Sequence, residues 1–156
     1  MSISAWRIVK RRLAADAFSG EGARLYGGRW NAPGTRVVYV AESQSLAALE
    51  ILVHLESAQA LEHYVLIEVK FDSALVTAVE KQKLPANWQA EPAPISLRAI
   101  GDDWTAAGIS AVLKVPSAIV PHENNFLLNP AHADFSKIQI ERPIDFALDP
   151  RLMRKR

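Results

Sequence analysis

A strand pattern runs directly into a helix pattern in residues 37–56, which read VVYVAESQSLAALEILVHLE. The β-branched and aromatic run Val37-Val38-Tyr39-Val40 is typical of a buried strand. From Ser45 to about Glu56, apolar residues cover most of a helical circumference, which predicts a helix buried on more than one side. Ser43 or Ser45 is suited to cap its first turn. The stretch therefore predicts a short strand followed by a buried helix.

Short strands dominate the remainder of the chain. Residues 18–34 hold five of the seven glycines, which predicts tight turns without a regular element. A second helix pattern over 96–107 is interrupted by Gly101, three prolines make 81–95 an irregular connection, and Asn129-Pro130 opens a short helical turn. The other strand patterns are Ala5–Val9, Tyr64–Phe71, Ala111–Val115, Ala118–Val120, Asn125–Leu128 and Ile138–Ile140. This mixture favours the α+β class, because a doubly wound parallel sheet needs regular βαβ alternation.

Length and composition narrow the class of protein. A chain of 156 residues predicts one domain covering residues 1–156. The absence of cysteine excludes disulfide scaffolds, thiolate metal sites and cysteine nucleophiles. No apolar run approaches the roughly 20 residues of a membrane helix, and the first residues lack a signal-peptide pattern. We therefore expect a cytoplasmic protein that does not associate with a membrane.

Charge is unevenly distributed along the chain. The net charge is +1, but seven positive charges lie in two acid-free groups near the ends, and without them the remainder carries −6. One group is Lys10-Arg11-Arg12, and the other belongs to a basic tail at about 150–156. A solvated, frayed terminus is the ordinary interpretation of such a tail. A mildly acidic body does not favour direct nucleic-acid binding.

Four residues are candidates for chemistry: Arg29, Tyr39, Glu50 and Ser117. Arg29 follows two glycines that let the backbone approach a ligand closely, and its planar fork of donors suits an anion. Glu50 lies within an apolar helix, where a carboxylate needs a partner or a task. The set suits a phosphorylated, ring-containing ligand. It also suits cleavage of an N-glycosidic bond, because the oxocarbenium-like transition state favours nearby negative charge.

Each candidate also has an ordinary structural interpretation. The Gly-Gly-Arg sequence could be a turn with an exposed arginine, and Glu50 could form a salt bridge or a solvated stripe. Glu50 and His54 share a helix face and could supply two metal ligands. We predict no metal site, because no third ligand is suggested nearby.

A longer series of motifs resembles a known family, the RES-domain toxins of RES–Xre type II toxin–antitoxin pairs. The family takes its name from arginine, glutamate and serine positions, which Arg29, Glu50 and Ser117 match. The resemblance extends from about residue 5 to 140. The matching pieces are Ala5-Trp6-Arg7, GARLYGGRWNAPG (22–34), VYVAES (38–43), AALE (47–50) with His54, Pro116-Ser117, Asn125 and Asn129-Pro130.

The resemblance implies a fold similar to that of ADP-ribosyltransferase toxins, with a mixed β core around a pocket for NAD+ as substrate and no cofactor. It implies that Arg7 and Arg29 hold the phosphates of NAD+ and that Tyr39 packs on the nicotinamide or its ribose. Glu50 would stabilise the ribosyl centre or orient the attacking group. Ser117 would hydrogen-bond the substrate, and Asn125 would help to shape the pocket.

Three functions follow as hypotheses. The first is a toxin that degrades NAD+ by hydrolysis or phosphorolysis, arrests growth and is neutralised by an Xre-like DNA-binding antitoxin. The second is a mono-ADP-ribosyltransferase that modifies a cellular protein. The third, a non-enzymatic partner-binding module, would tolerate Glu50→Gln without loss of activity. A toxin dimer within a larger complex is a further expectation.

Overall fold

The computed structural model of the chain describes residues 1–55 and 63–153. Within this part, the strands form one mixed sheet of eight strands in the order β4-β5-β6-β2-β1-β3-β7, with β8 also paired to β3. The strands are β1 (Ser2–Lys10), β2 (Val38–Ala41), β3 (Tyr64–Asp72), β4 (Val76–Ala78), β5 (Val112–Pro116), β6 (Asn124–Leu128), β7 (Gln139–Ile140) and β8 (Ile144–Phe146). The α-helices are α1 (Glu21–Tyr26), α2 (Gln44–Leu52) and α3 (Ile95–Ala107). The predicted α+β class is therefore confirmed.

The two longest strands form the middle of the sheet. β1 and β3 are antiparallel along their full length, from the pair Ser2 and Asp72 to the pair Lys10 and Tyr64. β2 joins β1 to β6, and the pair β4 and β5 is the parallel one. Because both faces of the sheet are covered, β3 is buried at successive positions instead of alternating.

One face of the sheet carries α2 and α3. Leu97 and Trp104 of α3 pack against Leu113 and Leu127, whereas Leu128 faces a separate apolar cluster on the other side. α2 packs its Leu46 and Ala47 in a further cluster with residues of β1, β2 and β3. The helix-bearing face therefore also carries the side chains of β2 and β6 that point in this direction, Tyr39 and Asn125 among them.

The predicted strand and helix both form, as β2 (Val38–Ala41) and α2 (Gln44–Leu52). The Ser43 hydroxyl accepts a hydrogen bond of 3.1 Å from the amide of Leu46, which confirms Ser43 as the N-cap of α2. The helix ends at Leu52, earlier than the predicted end near Glu56, and Glu56 lies outside the described residues.

Other predicted boundaries are wrong. The segment 18–34 contains a regular element after all, because α1 lies between Gly20 and Gly27, which both have positive φ. Residues 118–120 form bends instead of a strand. The short helical turn predicted after Asn129-Pro130 does form, as a 3₁₀ helix at Ala133–Lys137, whereas β4 and β8 were not predicted. Short edge strands such as these are specified by their neighbours more than by local pattern.

Gly101 does not interrupt α3, which continues through it to Ala107. Glycine is required here because the helix backbone contacts Trp30: a Cβ at this position would lie 1.9 Å from the carbonyl oxygen of Trp30. α3 therefore packs directly against the backbone of residues 18–34, which we call the glycine-rich segment. No helix among the described residues is long and apolar enough to cross a membrane.

Candidate functional site

A cavity of about 920 Å³ opens between the glycine-rich segment, the helix-bearing face of the sheet and the first turns of α3. Residues far apart in the sequence meet here, because α1, β1, β2, α2 and the loop before α3 all contribute to its wall. The predicted site residues that line it are Arg7, Arg29, Tyr39, Glu50 and Asn125. Ser117 is fully buried behind the wall.

Glu50 is held at the cavity wall by two side chains. The Ser117 hydroxyl and the Asn125 amide each donate a hydrogen bond of 2.8 Å to the same oxygen, Oε1. The second oxygen, Oε2, receives no hydrogen bond within the described part of the chain. The carboxylate is thus anchored at one oxygen, and its other oxygen is available to a ligand.

Ser117 uses all of its hydrogen-bonding capacity inside the protein. Its oxygen accepts hydrogen bonds from the amides of Ile119 and Val120, at 3.2 and 3.1 Å, and its proton goes to Glu50. This turn replaces the strand predicted at 118–120. In this arrangement, the hydroxyl positions Glu50 and has no capacity left for a substrate.

Tyr39 is fixed by the glycine-rich segment. Its hydroxyl donates to Asn31 Oδ1 at 2.5 Å and accepts from the amide of Trp30 at 3.1 Å. Burial raises the pKa of Tyr39 well above the usual value for tyrosine, so the hydroxyl stays neutral near pH 7. A Cβ on Gly28 would lie 2.6 Å from this hydroxyl. Gly28 is therefore required for the close approach, and Tyr39 can offer a ligand its ring.

Asn31 is a contributor that the sequence analysis did not single out as part of the site. It is fully buried, and its amide nitrogen donates to the carbonyl oxygens of Ala23 at 3.0 Å and Thr35 at 3.2 Å. These bonds turn its oxygen toward Tyr39. An asparagine beside glycine and proline ordinarily indicates a turn, so the sequence carries no separate signal for this role.

Arg29 binds the loop before α3. Its guanidinium donates to the carbonyl oxygens of Trp88 and Ala90, at 3.1 and 2.8 Å, and pairs with Glu91 at 2.8 Å. Glu91 is exposed, whereas the Arg29 side chain is largely buried. Arg29 therefore anchors this loop at the edge of the cavity.

Arg7 carries a charge without a carboxylate partner in the described residues. One guanidinium nitrogen donates to the carbonyl oxygen of Tyr39 at 2.8 Å, while the buried Nε has no partner. Burial lowers the pKa of Arg7 to about 10, so the side chain is still charged at neutral pH. A buried charge in this position favours the binding of an anion.

Arg98 is a second arginine of this kind, and the sequence analysis missed it. It belongs to α3 and lines the cavity, and its buried Nε has no hydrogen-bond partner in the described part of the chain. Sequence gave no signal for it, because one arginine in a helix pattern indicates a solvated face. Residues 1–55 and 63–153 contain no group of three or more histidine, aspartate or glutamate side chains placed to hold a metal ion.

Comparisons with known proteins place the chain in a family. The family model described as "RES domain" matches residues 4–149. A "Toxin Res" of Yersinia enterocolitica serotype O:8 is 42% identical over 148 residues, covering 94% of this chain and 97% of the relative. A "Prs ADP-ribosylating toxin" of Sphingobium sp. strain YBL2 is 40% identical over 160 residues, covering 99% of each.

A solved structure shares the fold. A chain in the crystal structure of the M.tuberculosis MbcT–MbcA toxin–antitoxin complex superposes with a TM-score of 0.79 at 21% identity. The superposition covers 98% of this chain and 87% of that one. With the family match over nearly its whole length and close relatives of the same extent, the protein belongs to the RES domain family.

Proposed function

We propose that this RES-domain protein is the toxin of a toxin–antitoxin pair and that it cleaves the bond between nicotinamide and ribose in NAD+. The observation that carries the proposal is the Glu50 carboxylate, fixed by Ser117 and Asn125 in the wall of a cavity that also contains arginines. The names of the relatives support the toxin assignment.

The charges of the cavity match those of NAD+. The substrate combines a positively charged nicotinamide ring with two negatively charged phosphates. When the glycosidic bond breaks, its electron pair leaves with nicotinamide, and positive charge develops on the ribose. A carboxylate fixed near that carbon stabilises the developing charge, because it needs no reorganisation during the reaction.

Each predicted site residue has a proposed task. Glu50 stabilises the ribosyl centre, and Ser117 and Asn125 orient Glu50. Arg7 and Arg29 bind the phosphates, with Arg29 exchanging its pairing to the exposed Glu91 for a pairing to substrate. The Tyr39 ring packs against the nicotinamide ribose. Water then bonds to the ribosyl carbon and releases a proton to the solvent, giving hydrolysis, or an oxygen of inorganic phosphate bonds there, giving phosphorolysis.

The relative from Sphingobium supports a second candidate, because its name describes an ADP-ribosylating toxin. The same pocket would then transfer the ADP-ribosyl group to a side chain of a cellular protein. The two candidates share Glu50 and the phosphate-binding arginines, and they differ in the acceptor.

The first test is incubation of the purified protein with NAD+ alone, in buffer with and without phosphate, while nicotinamide and ADP-ribosyl products are measured. We expect multiple turnovers without any protein acceptor. Labelled NAD+ and a cell lysate form the second arm. Labelling of one protein band, with no turnover in its absence, would contradict NAD+ degradation and support protein ADP-ribosylation. No consumption in either arm would contradict both.

Arg7→Met is expected to abolish most activity while leaving the free protein as stable or more stable. The unfolded chain holds a proton on this arginine to a higher pH than the folded chain does, so the charge opposes folding at every pH below about 10. Removing it should change the free energy of unfolding by zero to about +2 kcal/mol. Loss of the phosphate contact should reduce kcat/KM for NAD+ at least about 30-fold. Thermal melts check that stability does not fall, and steady-state kinetics check that kcat/KM does. A variant that is less stable but fully active would contradict the assignment of Arg7 to phosphate binding.

The toxin assignment implies an antitoxin and a place of action. We propose an Xre-like DNA-binding antitoxin, which a neighbouring helix-turn-helix gene would support, and a cytoplasmic location, where NAD+ is available. The solved structure with the same fold comes from a toxin–antitoxin complex. Co-expression with the neighbouring gene should relieve growth arrest.

A further inference from the structure

We propose that Arg98 is a substrate-binding residue that contacts the diphosphate of the nucleotide and makes the site selective for a diphosphate over a substrate without phosphate. This inference deepens the proposed function and rests on it. It assigns to α3 a direct part in the site, beyond its packing against the glycine-rich segment.

Arg98 has a donor that no protein group satisfies among the described residues. Its Nε is buried without a partner, and the side chain forms no ion pair or hydrogen bond within residues 1–55 and 63–153. A guanidinium N–H that is buried without an acceptor is destabilising, and an anionic oxygen of a ligand would satisfy it. It also lies near the start of α3, whose first turn contains no acidic residue, so the helix dipole adds positive potential there.

The nearest carboxylate along the helix, Asp102, contacts the glycine-rich segment and does not pair with Arg98. Asp102 lies one turn after Arg98, but both of its oxygens accept hydrogen bonds from the amide of Ala32, at 3.1 and 3.3 Å. Asp102 thereby fastens α3 to the glycine-rich segment. Arg98 therefore lies at the cavity wall without an ion pair to any carboxylate among the described residues.

Arg98 also lies close to the residues already assigned to the site. The charges of Asp102, Arg98 and Arg29 all act on the Tyr39 hydroxyl. Arg29 is paired with Glu91 in the free protein and must release it before it binds a phosphate, whereas Arg7 and Arg98 have no carboxylate partner among the described residues. Two unpaired guanidinium groups on different walls of one cavity match the two negative charges of a diphosphate.

The test compares Arg98→Met with wild type on NAD+ and on nicotinamide riboside, which lacks phosphate. Methionine keeps the length and the apolar contacts of the stem. We expect KM for NAD+ to rise about 30-fold, which is the effect of losing one hydrogen bond to a charged group. The kcat should stay within about threefold of the wild-type value. The kcat/KM for nicotinamide riboside should not change. Arg12→Met is the matched control, because it removes an exposed arginine outside the cavity, and it should behave as wild type.

A binding measurement separates this inference from the proposed function. Calorimetry with ADP and with adenosine should show ADP binding that weakens about 30-fold in Arg98→Met, and adenosine binding that does not. If wild type cleaves NAD+ but the variant keeps its KM and its ADP affinity, Arg98 has no such role and the proposed function stands. If ADP binding depends on Arg98 but NAD+ is not cleaved, the proposed function is wrong and the assignment of Arg98 to diphosphate binding stands. If Arg98→Met weakens ADP and adenosine binding equally and lowers the melting temperature, Arg98 has a structural role and the inference is wrong. The inference is also wrong if the wild-type protein does not bind ADP.

Discussion

Glu50→Gln is expected to lower the rate of NAD+ cleavage by about 1,000-fold while leaving the fold intact. Glutamine has nearly the same shape, and its amide oxygen can accept the hydrogen bonds that Ser117 and Asn125 donate to Oε1. What disappears is the negative charge beside the ribosyl carbon. Because that charge acts mainly on the transition state, the loss should fall on kcat.

The measurement pairs single-turnover NAD+ cleavage with thermal melts. Glu42→Gln is the matched control, because Glu42 precedes the same helix but does not line the cavity. It should keep wild-type activity. The melting temperature of Glu50→Gln should stay within about 3 °C of wild type. A Glu50→Gln protein that still arrests growth and consumes NAD+ would contradict both enzyme hypotheses and favour a non-enzymatic partner-binding module.

Gly101→Ala is expected to cause the largest loss of stability among the substitutions considered, about 3 kcal/mol. Alanine favours a helix over glycine by about 1 kcal/mol, so local propensity alone predicts stabilisation. The added Cβ would instead lie 1.9 Å from the carbonyl oxygen of Trp30 and 3.0 Å from its carbonyl carbon. Since these are backbone atoms, the helix and the glycine-rich segment must move apart.

The movement should also reach the site. The amide of Trp30 donates to the Tyr39 hydroxyl, and Ala32 donates to Asp102 of α3, so the displaced backbone holds both contacts. We expect a melting temperature lower by about 10 °C, together with reduced activity. Gly22→Ala is the control: it lies in α1, its added Cβ has no neighbour within 4 Å, and it should be neutral or stabilising. Wild-type stability of Gly101→Ala would mean that α3 does not pack on Trp30 as described.

Helix α2 illustrates what local pattern predicts well. A run of strand residues, a capping serine and a run of helix formers are recognisable because each depends on neighbours within a few positions. Glu50 was therefore placed correctly inside a helix. The sequence did not say which groups hold the carboxylate, because Ser117 and Asn125 lie 67 and 75 residues away.

Gly101 illustrates the opposite case. A glycine within a helix pattern ordinarily signals weakness, and the sequence analysis interpreted it as an interruption. Its reason is a contact with Trp30, on a segment that is distant in the sequence. Arg98 was overlooked for the same reason, because only the folded structure shows which groups surround its side chain.

The sequence by itself determined the α+β class, the strand–helix pair of residues 37–56, the resemblance to the RES family and the residue types suited to a phosphorylated substrate. Only the tertiary structure decided that Arg29 anchors a loop, that Ser117 holds Glu50, and that Arg7 and Arg98 line the cavity without a carboxylate partner among the described residues. The physical reason is the separation in sequence between the residues that interact. Helix caps, periodicity and turns are set by residues a few positions apart, whereas burial and hydrogen-bond partners depend on segments that meet only when the chain has folded.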